Sequence, residues 1–272
     1  MSNEPAGASG SVQVLAKSVR VLDCFTPERP RLSLAEMRHA TGLPPTTVAR
    51  LVKSLVDLDL LQRRGDEYGV GLRVLGWTAS ATAGSDLMES VGPVLVHLRD
   101  FTGETAGVYI RRGVKRVAVA VEHSLQSIIY RASIGQVMPM HAGAAGKVFM
   151  AFDDRALEAT LAQDAGETGG VLANRAELER VLAVVRRRGW CYTQGERQQG
   201  LNSVSVPVFG ADGHVVAALA IGGPSFRLTP DTAEQIGPPM AEAGLSLSRR
   251  LGWRAAHDTP ADGPAERTQA SA

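Results

Sequence analysis

Cysteine is scarce in this chain, and that scarcity rules out several kinds of site. The 272 residues contain two cysteines, Cys24 and Cys191, which lie far apart inside apolar or β-type segments. Two such distant thiols form neither a disulfide framework nor a zinc signature, so both are expected to be small core residues. The six histidines are dispersed and include no H-E-x-x-H pair, so the sequence indicates no metal site and no cofactor.

Long apolar segments are also lacking. No stretch reaches the roughly 20 apolar residues that a membrane helix requires, and the polar first ten residues lack the apolar core of a signal peptide. We therefore expect a cytoplasmic protein with no membrane partner. The net charge is only +1, so any surface that binds nucleic acid must be local rather than a property of the whole chain.

Length and composition predict two modest domains between two tails. The chain is 44% hydrophobic and 21% charged, which is typical of a globular protein long enough for two cores. We expect a first domain over residues 11–71, a linker helix over residues 72–90 and a second domain over residues 91–253. Residues 1–10 and 254–272 are expected to be disordered tails, because their small, polar and charged residues bury too little apolar area.

The first domain begins with the pattern of two helices. A helix is predicted over residues 12–25, where apolar residues recur at helical spacing. Ser33 and Glu36 then form a capping-box pattern, in which each side chain satisfies a backbone donor of the other residue. This pattern predicts a short second helix, which we expect to bury Leu34 and Met37.

The next helix has one apolar face and one polar, basic face. Gly42 ends the short helix, because glycine readily takes the left-handed conformation, and Pro45 suits the first turn of a helix over residues 45–58. The inward apolar residues are Val48, Leu51, Val52 and Leu55. A short helix, a glycine turn and a helix with small polar and basic residues outward are the geometry that places a recognition helix in the DNA major groove.

A hairpin completes the pattern of a winged helix-turn-helix. Residues 60–64 and 68–70 are predicted to form two short strands joined around Gly65 and Asp66. Arginines beside this turn can pair with phosphates that flank the groove. The candidate residues for binding double-stranded DNA are Pro45, Thr46, Thr47, Arg50, Lys53, Arg63 and Arg64. The alternative is that the basic residues form the solvated face of a small helical domain.

Strands mixed with helices predict an α+β fold for the second domain. Alternating segments predict strands over residues 107–110, 116–121, 127–130, 203–209 and 214–221. Helices are predicted over residues 91–101, 177–188 and 231–251. Segments ordered in this way indicate a largely antiparallel sheet.

A run of small residues in the second domain points to a ligand site. The run lies before a short helix predicted over residues 147–152. It consists of Gly143, Ala144, Ala145 and Gly146. Small side chains let a ligand approach the backbone, and N–H groups at a helix start attract a carboxylate or phosphate. The alternative is tight packing of helix on sheet. A nucleotide-binding loop is excluded, since His141 and Val148 stand where that motif requires Gly and Ser or Thr.

A collinear series of motifs runs through both domains. The first domain contains Ser11-Val12-Gln13-Val14-Leu15, Gly42-Leu43-Pro44 before Thr46-Thr47-Val48-Ala49-Arg50-Leu51, and Tyr68-Gly69-Val70-Gly71. The second contains Thr102-Gly103-Glu104-Thr105-Ala106, Pro139-Met140-His141-Ala142-Gly143-Ala144-Ala145-Gly146-Lys147, Gly189-Trp190, Gly195-Glu196, Gly200-Leu201, Pro207-Val208-Phe209 and Gly223-Pro224. In this series the chain resembles the IclR family of bacterial transcriptional regulators, over about residues 11–253.

The resemblance implies that the second domain folds like a GAF sensor domain and binds a small-molecule effector. The candidate effector-binding residues are Ile128, Tyr130, Ala144, Ala145, Thr193, Ser203, Ala220 and Gly222. Family members that bind small carboxylates carry polar side chains at four of these positions, but Ala220 and Gly222 supply none here. We therefore expect a roomier, more apolar cavity, with Ser203, Thr193 and backbone N–H groups of the small-residue run as polar anchors. An effector with one acidic end and a hydrophobic or aromatic body fits this expectation.

The resemblance also implies self-association as a dimer or tetramer, because one winged helix covers few base pairs and useful specificity requires two half-sites. Repression is the expected mode of regulation. An enzyme is the alternative from another class, with Cys191 and His141 as nucleophile and base. The sequence contains no G-x-S-x-G nucleophile motif, and we expect no catalysis. A sensor that acts through protein contacts alone is a third alternative, but it leaves the recognition helix and the wing unexplained.

Overall fold

The structure of the protein is a computed structural model that describes residues 12–164 and 175–254. The chain divides into two compact units, with the boundary between Glu89 and Ser90. The tails predicted at residues 1–10 and 254–272 lie outside the described residues, apart from residue 254.

The first unit contains three helices and a small sheet, followed by a fourth helix. Its elements are α1 (Gln13–Leu22), β1 (Arg31–Ser33), α2 (Leu34–Thr41), α3 (Pro45–Asp57), β2 (Leu61–Arg64), β3 (Glu67–Val70) and α4 (Arg73–Ala83). The strands are antiparallel in the order β1-β3-β2. The winged helix-turn-helix prediction is confirmed, although α1 ends earlier than the predicted residues 12–25 and β1 is an additional strand.

The apolar stripes of α1, α2 and α3 meet in one core. Val21, Met37 and Val48 are fully buried there. The prediction that Leu34 is also buried is wrong, since its side chain is 37% exposed. Residues 31–33 form a strand, and this strand turns Leu32 inward into the core just before α2 begins.

The second unit is built on one sheet. Its elements are α5 (Asp86–Thr102), which begins before the boundary, β4 (Thr105–Arg112), β5 (Lys115–Glu122), β6 (Val137–Pro139), α6 (Ala144–Phe152), α7 (Asp154–Asp164), α8 (Arg175–Arg188), β7 (Cys191–Gln194), β8 (Leu201–Phe209), β9 (Val215–Pro224) and α9 (Pro230–Arg250). The six strands are antiparallel in the order β6-β5-β4-β9-β8-β7. The predicted α+β class with an antiparallel sheet is therefore confirmed. Within the described ranges, no helix is long and apolar enough to cross a membrane.

Three strand assignments differ from the predictions. Residues 127–130 are a loop rather than a strand. Their backbone is held by a hydrogen bond from a side chain and not by hydrogen bonds to a neighbouring strand. Thr105 Oγ1 donates a hydrogen bond to the carbonyl oxygen of Tyr130, at 2.7 Å. Strands β6 and β7 form the two edges of the sheet and are too short to give an alternating pattern in the sequence.

Helix α6 starts earlier than predicted and includes most of the small-residue run. Gly143 precedes it with a φ of 90°, a conformation that favours glycine, and turns the chain into the helix. The side chains of residues 144–151 are all buried, because α6 packs against β8, β9 and α8. Gly146 is required by close packing: a Cβ atom there would lie 1.8 Å from the carbonyl oxygen of Met140.

Candidate functional site

Helix α3 separates a buried face from an exposed face. Val48, Leu51, Val52 and Leu55 are buried, as predicted. Among the DNA-binding candidates on this helix, Thr47 is half-buried, whereas the remaining ones lie in solvent. The exposed candidates are Pro45, Thr46, Arg50 and Lys53. The helix thus holds its polar and basic side chains on one accessible surface.

The turn before α3 is fixed by side-chain hydrogen bonds. The backbone of Gly42 is left-handed, with a φ of 65°, and its N–H donates to Arg38 O at 2.9 Å. The buried hydroxyl of Thr41 donates to Met37 O at 2.8 Å and accepts from the N–H of Leu43 at 3.3 Å. Arg20 of α1 donates to the carbonyl oxygen of Thr41, which ties the turn to the first helix.

The two arginines of the wing differ in their surroundings. Arg63 Nε donates to Gly65 O at 2.8 Å, and its guanidinium lies 3.8 Å from an Asp66 oxygen. These contacts, with the Tyr68 ring 5.9 Å away, hold Arg63 against the hairpin. Arg64 is exposed, and in residues 12–164 and 175–254 its side chain has no hydrogen-bond partner. Arg64 is therefore the freer of the two to meet a phosphate.

The second unit contains a small cavity between the sheet and the start of α6, with a volume of about 40 Å³. The residues that line it are Tyr109, Arg116, Tyr130, Met138, Gly143, Ala144, Ala145, Thr193, Glu196, Arg197, Leu201, Ser203, Ala220, Ile221 and Gly222. All the effector-binding candidates except Ile128 are brought together here. The side chain of Ile128 is 60% exposed on the loop that was predicted to be a strand, so it does not form a cavity wall.

Polar groups converge where α6 meets the sheet. The N–H of Ala144 donates to Ser203 Oγ at 3.3 Å, and that hydroxyl lies 2.9 Å from Thr193 Oγ1. Ser203 and Thr193 are register partners on β8 and β7, so the sheet itself places the two hydroxyls side by side. The N–H groups at the start of α6 are the positive end of the helix dipole and favour an anion.

A carboxylate of the chain itself already lies at this helix start. Glu196 Oε2 accepts a hydrogen bond from the N–H of Gly143 at 2.9 Å and pairs with the ammonium group of Lys147. The Lys147 side chain is 11% exposed. Neither residue is among the effector-binding candidates predicted from the sequence, although both belong to the motifs that carry the family resemblance.

The expectation of a roomier cavity is wrong at the wall that Gly222 and Tyr130 form. A Cβ atom at Gly222 would lie 2.7 Å from the Tyr130 ring, so this aromatic ring fills the space that the glycine leaves. The guanidinium of Arg197 lies 4.6 Å from the centre of the same ring and donates to Met138 Sδ at 3.4 Å. The missing side chain at Gly222 therefore makes room for the protein's own tyrosine.

The expectation of a more apolar cavity is also wrong, because a buried arginine lines the cavity. Arg116 of β5 is 3% exposed, and its two terminal nitrogens donate to the carbonyl oxygens of Pro139 and Ala142. Burial lowers the pKa of its guanidinium to about 10, so it is charged at neutral pH. A charged residue at the start of a predicted strand ordinarily faces water, so nothing in the sequence indicates that Arg116 points inward.

Cys191, the nucleophile of the enzyme alternative, lies buried in the core of the second unit. Burial raises the pKa of the Cys191 thiol to about 12, so at neutral pH it is a protonated core side chain and not a nucleophile. In the part of the chain that the structure describes, no cluster of three His, Cys, Asp or Glu residues suits a metal ion.

A winged helix-turn-helix joined to a unit with a small cavity defines a class: DNA-binding transcriptional regulators that respond to a ligand. Residues 14–65 match the family described as the IclR helix-turn-helix domain, and residues 79–249 match that described as bacterial transcriptional regulator IclR C-terminal. The chain belongs to the IclR family. Its relatives are regulators, and the protein is a transcriptional regulator rather than an enzyme.

Individual relatives align with nearly the whole of this chain. The Pca operon regulatory protein of Acinetobacter baylyi is 28% identical, over 87% of this chain and 88% of its own. The transcriptional repressor IclR of Escherichia coli is 26% identical, over 91% and 93%. The crystal structure of an IclR-family regulator from Brucella abortus is 27% identical, with a TM-score of 0.75 and coverage of 90% and 96%.

A more distant structure shows the same fold with a ligand. An IclR homologue from Microbacterium hydrocarbonoxydans, complexed with 4-hydroxybenzoate, is 20% identical to this chain. The TM-score is 0.71, over 88% of this chain and 98% of that one. At this identity the likeness concerns the fold alone.

Proposed function

We propose that this protein is a repressor whose operator binding is altered by a small, acidic and partly hydrophobic metabolite in the cavity of the second unit. The observation that carries this proposal is the hydroxyl pair of Ser203 and Thr193 at the N–H groups that begin α6, in the lining of a small cavity. A few polar anchors among apolar walls are typical of small-molecule sites. Here Met138, Leu201 and Ile221 supply the apolar walls.

The charges around the cavity favour an acid. Two guanidinium groups line it, those of Arg116 and Arg197, and the helix dipole of α6 adds positive potential. The carboxylate in the lining, that of Glu196, is paired with Lys147. An anionic effector compensates the remaining positive charge, whereas a cationic one adds to it. The acid bound by the Microbacterium hydrocarbonoxydans homologue, 4-hydroxybenzoate, is of the class proposed here.

The first unit supplies the proposed DNA interface. In this proposal Thr46 and Thr47 contact phosphate or a thymine methyl group, and Arg50 forms a bidentate contact with guanine. The residues proposed to approach the phosphates that flank the groove are Pro45, Lys53, Arg63 and Arg64. Relatives that are named repressors, among them IclR and AllR of Escherichia coli, support repression as the mode of regulation.

Two copies are proposed to bind one operator. Exposed apolar side chains on α1 and α4, and on the residue directly before each, provide surface for pairing; they are Val12, Val14, Leu15, Leu72, Leu75 and Trp77. We retain residues 11–71 as the DNA-binding domain, 72–90 as the linker and 91–253 as the effector domain, assembled as a dimer or tetramer. Because its partner is DNA, we place the protein in the cytoplasm.

A gel-shift titration tests the proposal. The purified full chain is titrated on DNA from upstream of its own gene, at fixed salt, with and without aromatic and aliphatic acids. Specific retardation that at least one acid weakens or strengthens supports the proposal. A protein that is folded and selects no DNA sequence in a genome-wide selection contradicts it. A calorimetric screen in which only short polar acids such as pyruvate or glyoxylate bind contradicts the hydrophobic part of the effector.

Ser203→Ala is expected to weaken effector binding about tenfold while leaving operator affinity unchanged. The substitution removes a hydroxyl that faces the cavity and accepts from the N–H of Ala144. Isothermal calorimetry and gel shifts measure the two affinities. Ser205→Ala is the matched control, because Ser205 lies on the same strand and donates to Leu219 O at 2.9 Å outside the cavity lining. Equal losses in both variants, or a loss of operator binding in Ser203→Ala, contradict the assignment.

A further inference from the structure

Donors at the start of α6 already have acceptors from the chain itself. Glu196 Oε2 accepts from the N–H of Gly143 and from the ammonium group of Lys147. The N–H of Ala144 donates to Ser203 Oγ. A backbone N–H has one hydrogen to donate, so an effector carboxylate that binds either N–H must replace the acceptor that is there.

The two acceptors differ in how firmly the fold holds them. Ser203 lies on β8, which pairs with β7 on one side and β9 on the other. Glu196 lies in the β7–β8 loop, residues 195–200, most of which is exposed, and its own side chain is 34% exposed. Its carboxylate can turn into solvent, whereas the hydroxyl of Ser203 cannot leave the sheet. Glu196 is therefore the acceptor that an incoming acid can replace.

Glycines stand at both ends of the β7–β8 loop. Gly195 and Gly200 have φ angles of 63° and 80°, in the region that favours glycine. The N–H of Gly195 donates to Leu201 O at 2.9 Å and closes the base of the loop. Rotation about the backbone of a few such residues is enough to redirect a loop. The segment that carries Glu196 can thus move while the strands on either side stay paired.

The cavity must enlarge to hold the proposed effector. Its volume of about 40 Å³ has room for roughly three water molecules, which is less than an aromatic acid occupies. The β7–β8 loop contributes Glu196 and Arg197 to the lining. Arg197 stacks on the Tyr130 ring, and the hydrogen bond it donates goes to the weak acceptor Met138 Sδ. Outward movement of this loop therefore enlarges the cavity without breaking a strand.

We propose that Glu196 is an internal competitor of the effector: the carboxylate of the effector replaces that of Glu196 on Gly143 N–H and Lys147, and the β7–β8 loop moves outward. This inference rests on the proposed function and names the residue that the effector displaces. The exchange of one carboxylate for another leaves the ammonium group of Lys147 paired, although its side chain is only 11% exposed. A neutral molecule cannot make this exchange, because it would leave a buried charge without a partner.

Acids and their amides test the inference by calorimetry on the full chain. Benzoate, phenylacetate and hexanoate are each compared with the amide of the same carbon skeleton, on the unmodified protein and on Glu196→Gln. The glutamine keeps the shape of the side chain and an acceptor for Gly143 N–H, but it lacks the charge that pairs with Lys147. For the acid that binds most tightly, we expect the variant to raise affinity at least about tenfold, because the competing charge is gone. The affinity for its amide should change less than about twofold.

A control and a crystal structure complete the design. Glu234→Gln is the matched control, because Glu234 pairs with Arg188 outside the cavity lining. It should leave the affinities for acid and amide unchanged. A crystal structure of the unmodified protein with the same acid should show that carboxylate on Lys147 and Gly143 N–H, with Glu196 turned towards solvent.

Several outcomes overturn the inference and leave the acidic effector standing. Unchanged or weaker binding of the acid by Glu196→Gln shows that Glu196 does not compete with it. Equal tightening of acid and amide shows that the variant only loosens the loop. A complex in which Glu196 remains on Lys147 excludes the exchange directly. If no acid binds to the unmodified protein or to Glu196→Gln, the inference and the proposed effector fail together.

Discussion

Replacement of Arg50 by alanine is expected to weaken operator binding by roughly 5-fold to 150-fold and to leave effector affinity unchanged. Arg50 lies on the exposed face of α3, the helix whose other face forms the core of the first unit. A bidentate arginine contact with guanine discriminates by about 1 to 3 kcal/mol per base pair, which sets the expected range. Gel shifts on the operator and on a scrambled duplex measure the loss, which should be confined to the operator.

Two further substitutions separate base recognition from charge. Arg64→Ala should weaken binding to operator and scrambled DNA alike and reduce the slope of affinity against salt by about one, as expected for a phosphate contact. Arg187→Ala removes the same charge from an exposed position on α8 of the second unit and should alter neither affinity. If Arg50→Ala weakens both duplexes equally, Arg50 contacts phosphate and the proposed guanine contact is wrong.

Gly146→Ala is expected to destabilise the second unit by about 3 kcal/mol and to abolish effector binding. A methyl group there would lie 1.8 Å from Met140 O and 2.9 Å from Arg116 Nη1, so the backbone before α6 must move. Overpacking of this kind typically costs about 1 to 3 kcal/mol, and backbone atoms yield less than the ends of side chains. For a unit of this size the melting temperature should fall by roughly 6 to 12 °C, which differential scanning calorimetry measures.

Gly76→Ala is the control for the general effect of replacing a helical glycine. Gly76 lies in α4, and a Cβ atom built there meets nothing within 4 Å. Its replacement should therefore stabilise slightly, by about 0.5 to 1 kcal/mol, because alanine has the higher helix propensity. A Gly146→Ala protein that melts like the unmodified chain and still binds its effector contradicts the packing argument.

The sequence predicted those elements whose pattern is local. The capping box of Ser33 and Glu36, the left-handed Gly42 and the apolar stripe of α3 each depend on neighbours within a few residues, and the structure contains all of them. The prediction for residues 127–130 fails because Thr105, distant in sequence, fixes that loop. The edge strands β6 and β7 are missed because three or four residues give too short an alternation to recognise.

The candidate cavity could be predicted in part. The resemblance indicated Ser203 and Thr193, and the run of small residues indicated the start of α6; all of these line the cavity. The position of Arg116 in the cavity could not be predicted, because the sequence alone does not distinguish a buried charged residue in a strand from a solvated one. Nor could it show that the Tyr130 ring occupies the space beside Gly222, since that depends on the path of the loop. The positions of these two side chains in the cavity follow only from the three-dimensional structure.

The two faces of α3 also bear on how such a regulator diverges. Its buried stripe carries the stability of the first unit, and its exposed residues take almost no part in that core. Substitutions at exposed positions of this kind usually change stability by no more than about 0.5 kcal/mol. Substitutions at the proposed DNA contacts Thr46 and Arg50 would therefore not require compensating mutations in the core. Under the proposed function, selection on DNA recognition and selection on folding act on different residues of a single helix.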